Sequence, residues 1–123
     1  MVAILVVEDE FGIAEVLESA LVDAGHEVFI AINGRQGLER LAERPIALVL
    51  LDFMMPVLDG PGMLRAMRAD SEYRRVPVIV MSSLPQAAVT EEASGMYAGF
   101  LRKPFKLQAV IEMVDRILKE QQQ

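Results

Sequence analysis

The chain of 123 residues contains no cysteine and one histidine, His26. Without cysteine there is no disulfide and no thiolate metal site. His26 follows Gly25 and reads as a solvent-facing turn residue rather than a ligand. Long apolar runs are also missing: nothing approaches the roughly 18 residues that cross a bilayer. No basic segment and no small-residue cleavage site accompanies the first apolar run at 2–7, so no signal peptide is expected and a cytosolic location is. Positive charge is scarce as well. Twelve Lys and Arg face 18 Asp and Glu, a net charge of −6, which argues against binding nucleic acid or an anionic membrane through this surface. Finally, no glycine-rich phosphate loop is present.

What remains is ordinary globular composition, 53% hydrophobic and 24% charged, at a length suited to one domain. The expected domain is 1–123, with 120–123 a tail or the start of a linker. Residues 3–7, 46–51 and 76–81 are short, continuously apolar runs, the pattern of strands buried on both faces. Weaker strand signals lie at 28–32 and 98–101. Between them Phe11, Ala14, Leu17, Leu21 and Ala24 step at helical intervals, and Gly25 stands where a helix C-cap belongs. A second helix is expected over 35–43, before Pro45, and a third over 61–69 with Pro61 in its first turn. Leu107, Val110, Ile111, Val114, Ile117 and Leu118 mark a last apolar helix face. The least regular segment is 86–95, where Val89 is the one large aliphatic side chain. The rhythm is β-α five times over, which implies a parallel sheet with right-handed crossovers.

The chemistry-bearing residues follow the strands. Glu8 and Asp9 come after the first, Asp52 after the third, Ser82 and Ser83 after the fourth, and Lys103 after the fifth. In open parallel sheets ligands bind beyond the carboxyl ends of the strands, so these side chains converge. Three adjacent carboxylates repel unless a cation neutralises them. Oxygen donors without histidine or cysteine suit Mg²⁺ (Mn²⁺ is similar), which also takes phosphate oxygens. With phosphate present, the metal, Lys103 and a serine hydroxyl would surround the phosphoryl oxygens, and Asp52 would be the nucleophile. Each residue also has an ordinary explanation: Asp9 as an N-cap, Asp52 and the Asp59-Gly60 pair as turns, the serines as loop hydroxyls, Lys103 as a surface lysine. One site accounts for Asp9, Asp52, the serines and Lys103 together, whereas the ordinary readings must all hold separately.

Four segments carry a family resemblance: Ile4-Leu5-Val6-Val7-Glu8-Asp9-Glu10, Leu51-Asp52-Phe53-Met54-Met55-Pro56-Val57-Leu58-Asp59-Gly60, Pro77-Val78-Ile79-Val80-Met81-Ser82-Ser83 and Gly99-Phe100-Leu101-Arg102-Lys103-Pro104-Phe105. Together they resemble the response regulator receiver domains of two-component systems over essentially the whole chain. Asp52 and Ser82 stand 30 residues apart, as is usual there. The resemblance implies a flavodoxin-like (βα)5 α/β fold with strand order 2-1-3-4-5. It implies Asp52 as phosphoacceptor, Glu8 and Asp9 as the acidic pair holding Mg²⁺, and a metal contact from the Met54 backbone carbonyl. It further implies Ser82 as the switch hydroxyl, Phe100 at the aromatic switch position, Lys103 in its usual role, and a typically cis peptide before Pro104.

The implied function is that of a signalling phosphoacceptor, not a turnover enzyme. Its implied partners are a sensor histidine kinase or phosphotransfer protein and a downstream protein or output domain. The latter binds the face of the fourth helix, fifth strand and last helix, and phosphorylation-dependent homodimers are a further outcome. Met54 and Leu84, two past Asp52 and Ser82, cannot orient an attacking water, so slow self-dephosphorylation is expected. Two departures stand out. Ser82 and Lys103 are 21 residues apart, one short of the usual spacing, and Tyr97-Ala98-Gly99 replaces the Asp-Asp-Tyr common before the fifth strand. A phosphorylation-independent binding module is the alternative. An aspartyl phosphatase is disfavoured, because Met54 stands where a second acid is needed.

Overall fold

Five strands and five helices alternate along the computed structural model, which describes residues 2–122; Met1 and Gln123, the ends of the expected domain, lie outside the described residues. The order is β1 (Ala3–Val7), α1 (Phe11–Asp23), β2 (Glu27–Ala31), α2 (Gly34–Glu43), β3 (Leu48–Asp52), α3 (Gly60–Ala69), β4 (Val78–Ser82), α4 (Gln86–Ala93), β5 (Gly99–Arg102) and α5 (Leu107–Gln121). The strands form one parallel sheet in the order β2-β1-β3-β4-β5. This is the flavodoxin-like arrangement the sequence implied.

Alternate residues of the three central strands feed two cores. Leu5, Val7, Val49, Leu51, Val78 and Val80 face Leu41 of α2, Met63, Leu64 and Met67 of α3, and Val89 and Ala93 of α4. Ile4, Val6, Leu48, Leu50, Ile79 and Met81 face Leu17 and Leu21 of α1 and Val110, Val114 and Ile117 of α5. Both faces are covered, which is why these runs lack polar alternation. Each buried Val, Leu or Ile contributes about 1.5–3 kcal/mol relative to exposure.

Several boundaries differ from expectation, each for a local reason. Pro77 has no N–H, so β4 begins at Val78 rather than 76, and the Pro77 carbonyl accepts from Val49 N instead (3.0 Å). It runs one residue further, to Ser82. β3 begins at Leu48 and reaches Asp52 itself. The outer strands shift by one position because their register is set by the neighbouring strand: Ala3 pairs Glu27, and Ile79 pairs Gly99. Asn33 Oδ1 accepts from Gln36 N (2.8 Å), so α2 starts at Gly34. Asp59 Oδ1 accepts from Gly62 N (2.9 Å), so α3 starts at Gly60, with Pro61 in its first turn.

Three side-chain placements need correction. Phe11 and Ala24 are exposed, and the buried stripe of α1 is Ala14, Leu17 and Leu21. His26 is half-buried rather than solvent-facing, and its Nδ1 is enclosed without a hydrogen-bond partner. Glu120 and Gln121, placed in the tail, belong to α5. Gly25 does follow the helix end, with φ +97° and its N–H bonded to Val22 O (2.9 Å), a conformation that favours glycine. Among the described residues no helix is long and apolar enough to cross a membrane.

Candidate functional site

The site is assembled by strand register. Val7 pairs Leu51, so the next residues, Glu8 and Asp52, lie side by side at the ends of β1 and β3. Asp52 in turn pairs Met81, which brings Ser82 alongside, and Lys103 N donates to Ser82 O (2.8 Å). Glu8, Asp52 and Ser82 are the buried polar or charged residues among those described, at 1%, 5% and 2% exposure. Asp9 is exposed and follows β1 directly. It does not cap α1: that position is Glu10, whose side chain makes no capping bond.

Each of Glu8, Asp9 and Asp52 offers a carboxylate oxygen within 4.8 Å of the others. Lys103 Nζ lies 2.9 Å from Glu8 Oε1 and 3.4 Å from Asp52 Oδ1. Glu8 Oε2 accepts from Glu10 N (3.2 Å), which holds the carboxylate in place. Burial, followed by the hydrogen bond and charge of Glu8, pushes the Asp52 carboxyl up to about 7 from 3.8, against the pull of Lys103. For Lys103 burial acts downward, but Glu8 and Asp52 outweigh it and raise the ammonium above its ordinary value. Among the described residues the acidic cluster therefore has one internal cation, Lys103, for three carboxylates. It could hold a metal, and its all-oxygen donor set fits a hard divalent ion.

The other expected residues surround this centre. Ser82 Oγ accepts from Leu84 N (3.0 Å), closing the turn between β4 and α4. Phe100 is half-buried on β5 and packs against the core beneath α2, α3 and α4. The Lys103–Pro104 peptide is cis. Met54 is 62% exposed and, with Leu84, lines a cleft of about 450 Å³ that also includes Asp9 and Glu92. A second, more apolar groove of about 430 Å³ runs between α1 and the loop after β5, with Lys103 and Ser83 in its lining.

Two features of the β3–α3 loop were not apparent from sequence. Leu58 N donates back to Pro56 O (2.9 Å), closing a three-residue turn in which Val57 takes φ +71°. A β-branched residue rarely adopts this region, and nothing in the apolar spacing signals it. Further on, a Cβ at Gly60 would lie 2.7 Å from Phe53 Cα and 2.9 Å from Asp52 O. The start of α3 is thus seated directly on the backbone of Asp52 and Phe53, where only glycine fits.

The family model for the response regulator receiver domain matches residues 4–115. A probable transcriptional regulatory protein of Picosynechococcus is 35% identical over 97% of this chain and 50% of its own length. A probable chemotaxis protein CheY of Rhizobium etli is 32% identical over 96% of this chain and 95% of its own. The chain spans about half the length of the transcriptional regulators it matches. Among solved structures, the receiver domain of a Pseudomonas aeruginosa sensor histidine kinase, with magnesium coordinated in its active site cleft, superposes with a TM-score of 0.88 at 28% identity. It covers 96% of this chain and 98% of its own. With sheet order, site geometry and family match in agreement, the chain belongs to the response regulator receiver domain family.

Proposed function

We propose that this domain accepts a phosphoryl group on Asp52 from the phosphohistidine of a sensor histidine kinase or phosphotransfer protein, in a Mg²⁺- or Mn²⁺-dependent reaction. The observation that carries this reading is the meeting of Glu8, Asp9, Asp52 and Lys103 at one end of the sheet. A carboxylate oxygen of Asp52 attacks phosphorus, the P–N bond to the donor imidazole breaks, and the bond's electron pair leaves with that ring. Glu8, Asp9, Asp52 and the Met54 carbonyl would hold the metal, which when bound polarises phosphoryl oxygens and offsets the carboxylate charge. Lys103 favours the anionic form of Asp52 against burial and Glu8, and faces the charge that develops on the phosphoryl oxygens. The buried Ser82 hydroxyl is the group placed to follow a new phosphoryl charge, with Phe100 moving behind it.

The domain then acts as a signalling phosphoacceptor rather than a turnover enzyme, because the product stays covalently on its own side chain. Its altered face, made by α4, β5 and α5, changes its affinity for a downstream protein or output domain, or for a second copy of this chain. A histidine kinase donor suits a cytoplasmic setting, and the net charge of −6 argues against nucleic-acid binding by this domain.

The test is incubation of the purified protein with Mg²⁺ and acetyl phosphate, read by intact mass. A gain of about 80 Da, lost in Asp52→Ala and with chelator, supports the reading. No gain, together with no Mg²⁺ binding, transfers the weight to a phosphorylation-independent binding module.

A further inference from the structure

α4 is the least anchored helix of the fold. It buries only Val89 and Ala93, its N-cap residue Pro85 makes no side-chain capping bond, and its last turn carries no basic residue. A helix held so lightly by its core depends on other contacts for its position. Those contacts come from the loop that leads into β5. The Tyr97 hydroxyl lies 2.7 Å from Thr90 Oγ1 and accepts from Gln86 Nε2 at 3.4 Å, so one side chain ties two turns of α4.

That loop is itself fixed from the opposite side. Arg68, on α3, donates twice to the Met96 carbonyl (2.9 and 2.8 Å). The same guanidinium donates to the carbonyls of Tyr73, Arg74 and Val76 (3.3, 3.1 and 3.0 Å). Residue 96 is thereby clamped to the connection between α3 and β4, and residue 97 stands on that clamp. At its other end α4 continues into Pro85 and Leu84, and the Leu84 amide is the group that holds the Ser82 hydroxyl. An unbroken set of contacts joins Arg68, Met96, Tyr97, Thr90 and the first turn of α4 to the buried serine of the site.

We infer that Tyr97 is a latch: its bond to Thr90 holds α4 in the resting arrangement and opposes the movement of Leu84 and Ser82 toward Asp52. This rests on the phosphoacceptor reading for its consequence, but the latch itself is a property of the unmodified protein. Arg68 supplies the fixed point, and Thr90 and Gln86 the catch. Tyr97 is a positioning residue, touching neither the carboxylates nor Lys103 in any described contact. Swapping Tyr for Phe removes the hydroxyl and leaves the ring that packs against the core.

The experiment uses the whole chain with Tyr97→Phe, Thr90→Val, the double variant and Thr90→Ser, and reads two quantities. Amide hydrogen exchange across α4 should speed up about fivefold in Tyr97→Phe, the weight of one net hydrogen bond. Thr90→Val should match it, the double variant should add nothing further, and Thr90→Ser, which keeps the hydroxyl, should behave as the parent. Asp52 labelling by acetyl phosphate with Mg²⁺ should accelerate in the same variants and in the same order. Unchanged exchange in Tyr97→Phe, or effects that add in the double variant, would overturn the latch. Should the parent gain no mass at all, the phosphoacceptor reading fails instead, and exchange alone still judges the latch.

Discussion

Lys103 reaches across 95 residues of chain to Glu8 at 2.9 Å, and the Glu8 side chain has no exposed surface. Among the described residues the ammonium is the one cation paired with this carboxylate, which cannot turn to water. Replacing it by methionine keeps most of the volume and leaves both Glu8 and Asp52 without counter-charge. In metal-free buffer Lys103→Met should lose about 3 kcal/mol of unfolding free energy. Added Mg²⁺ should recover part of this, because the ion supplies the missing charge. Urea denaturation with and without chelator measures both effects, and equal stability of parent and variant in chelator would remove the pair from the account.

Asp52 gives a pH signature. Its carboxyl is pushed up to about 7, by burial first and then by Glu8, so the folded protein prefers it neutral. The contribution of such a group to stability is full below about pH 4 and is lost as pH rises through about 7. Asp52→Asn, uncharged throughout, should therefore exceed the metal-free parent by about 1–2 kcal/mol at neutral pH, an advantage that shrinks toward acid. Denaturation curves collected in chelator along that range test the trend. An advantage of constant size would show that ionisation of this carboxyl is not its source.

Val57 carries its side chain in the left-handed region with 74% of its surface exposed, so it adds little packing in return. Asparagine tolerates that conformation far better than a β-branched residue. Val57→Asn should raise unfolding free energy by about 1 kcal/mol while leaving acetyl phosphate labelling unchanged. A lower melting temperature in calorimetry would count against this view of the loop.

The cleft beside Asp52 presents the apolar side chains of Met54 and Leu84. Neither can hold a water in line with phosphorus, so phosphorylated protein freed of donor should decay over minutes to hours. Met54→Gln, which brings an amide to the same place, should shorten that lifetime several-fold. Loss of the added mass within seconds in the parent would contradict the argument.

Much of this was legible because it depends on period and position. Runs such as Ile4 to Val7 have one stable environment, a sheet covered on both sides, and such a sheet gathers whatever polar residues follow its strands. The convergence of Glu8, Asp9, Asp52, Ser82 and Lys103 is therefore legible from position alone, and the structure brings Glu8, Asp9, Asp52 and Lys103 within reach of one another, with Ser82 on the adjacent strand end. The misplacements arose where a pattern is blind to partners. Phe11 fits the helical stripe by spacing but sits in the first turn, beyond the core. His26 looked like turn filler, yet the chain end of α1 folds it inward. The bonds of Arg68 to Met96 and of Tyr97 to Thr90 span loops whose paths no local pattern encodes.

The shallow seating of α4 bears on how such a domain changes allegiance. Only Val89 and Ala93 commit the helix to the interior, whereas Gly60 presses α3 against the end of β3 so closely that no side chain fits between. Substitutions at α4 positions that touch neither Tyr97 nor the cleft remove no core contact, whereas those near the start of α3 meet the backbone of Asp52 and Phe53 directly. Selection for a new partner thus has exposed positions of α4 on which to work, provided Gln86 and Thr90, which meet the Tyr97 hydroxyl, are kept. Re-addressing the domain then leaves its tuning alone only where those two side chains stay as they are.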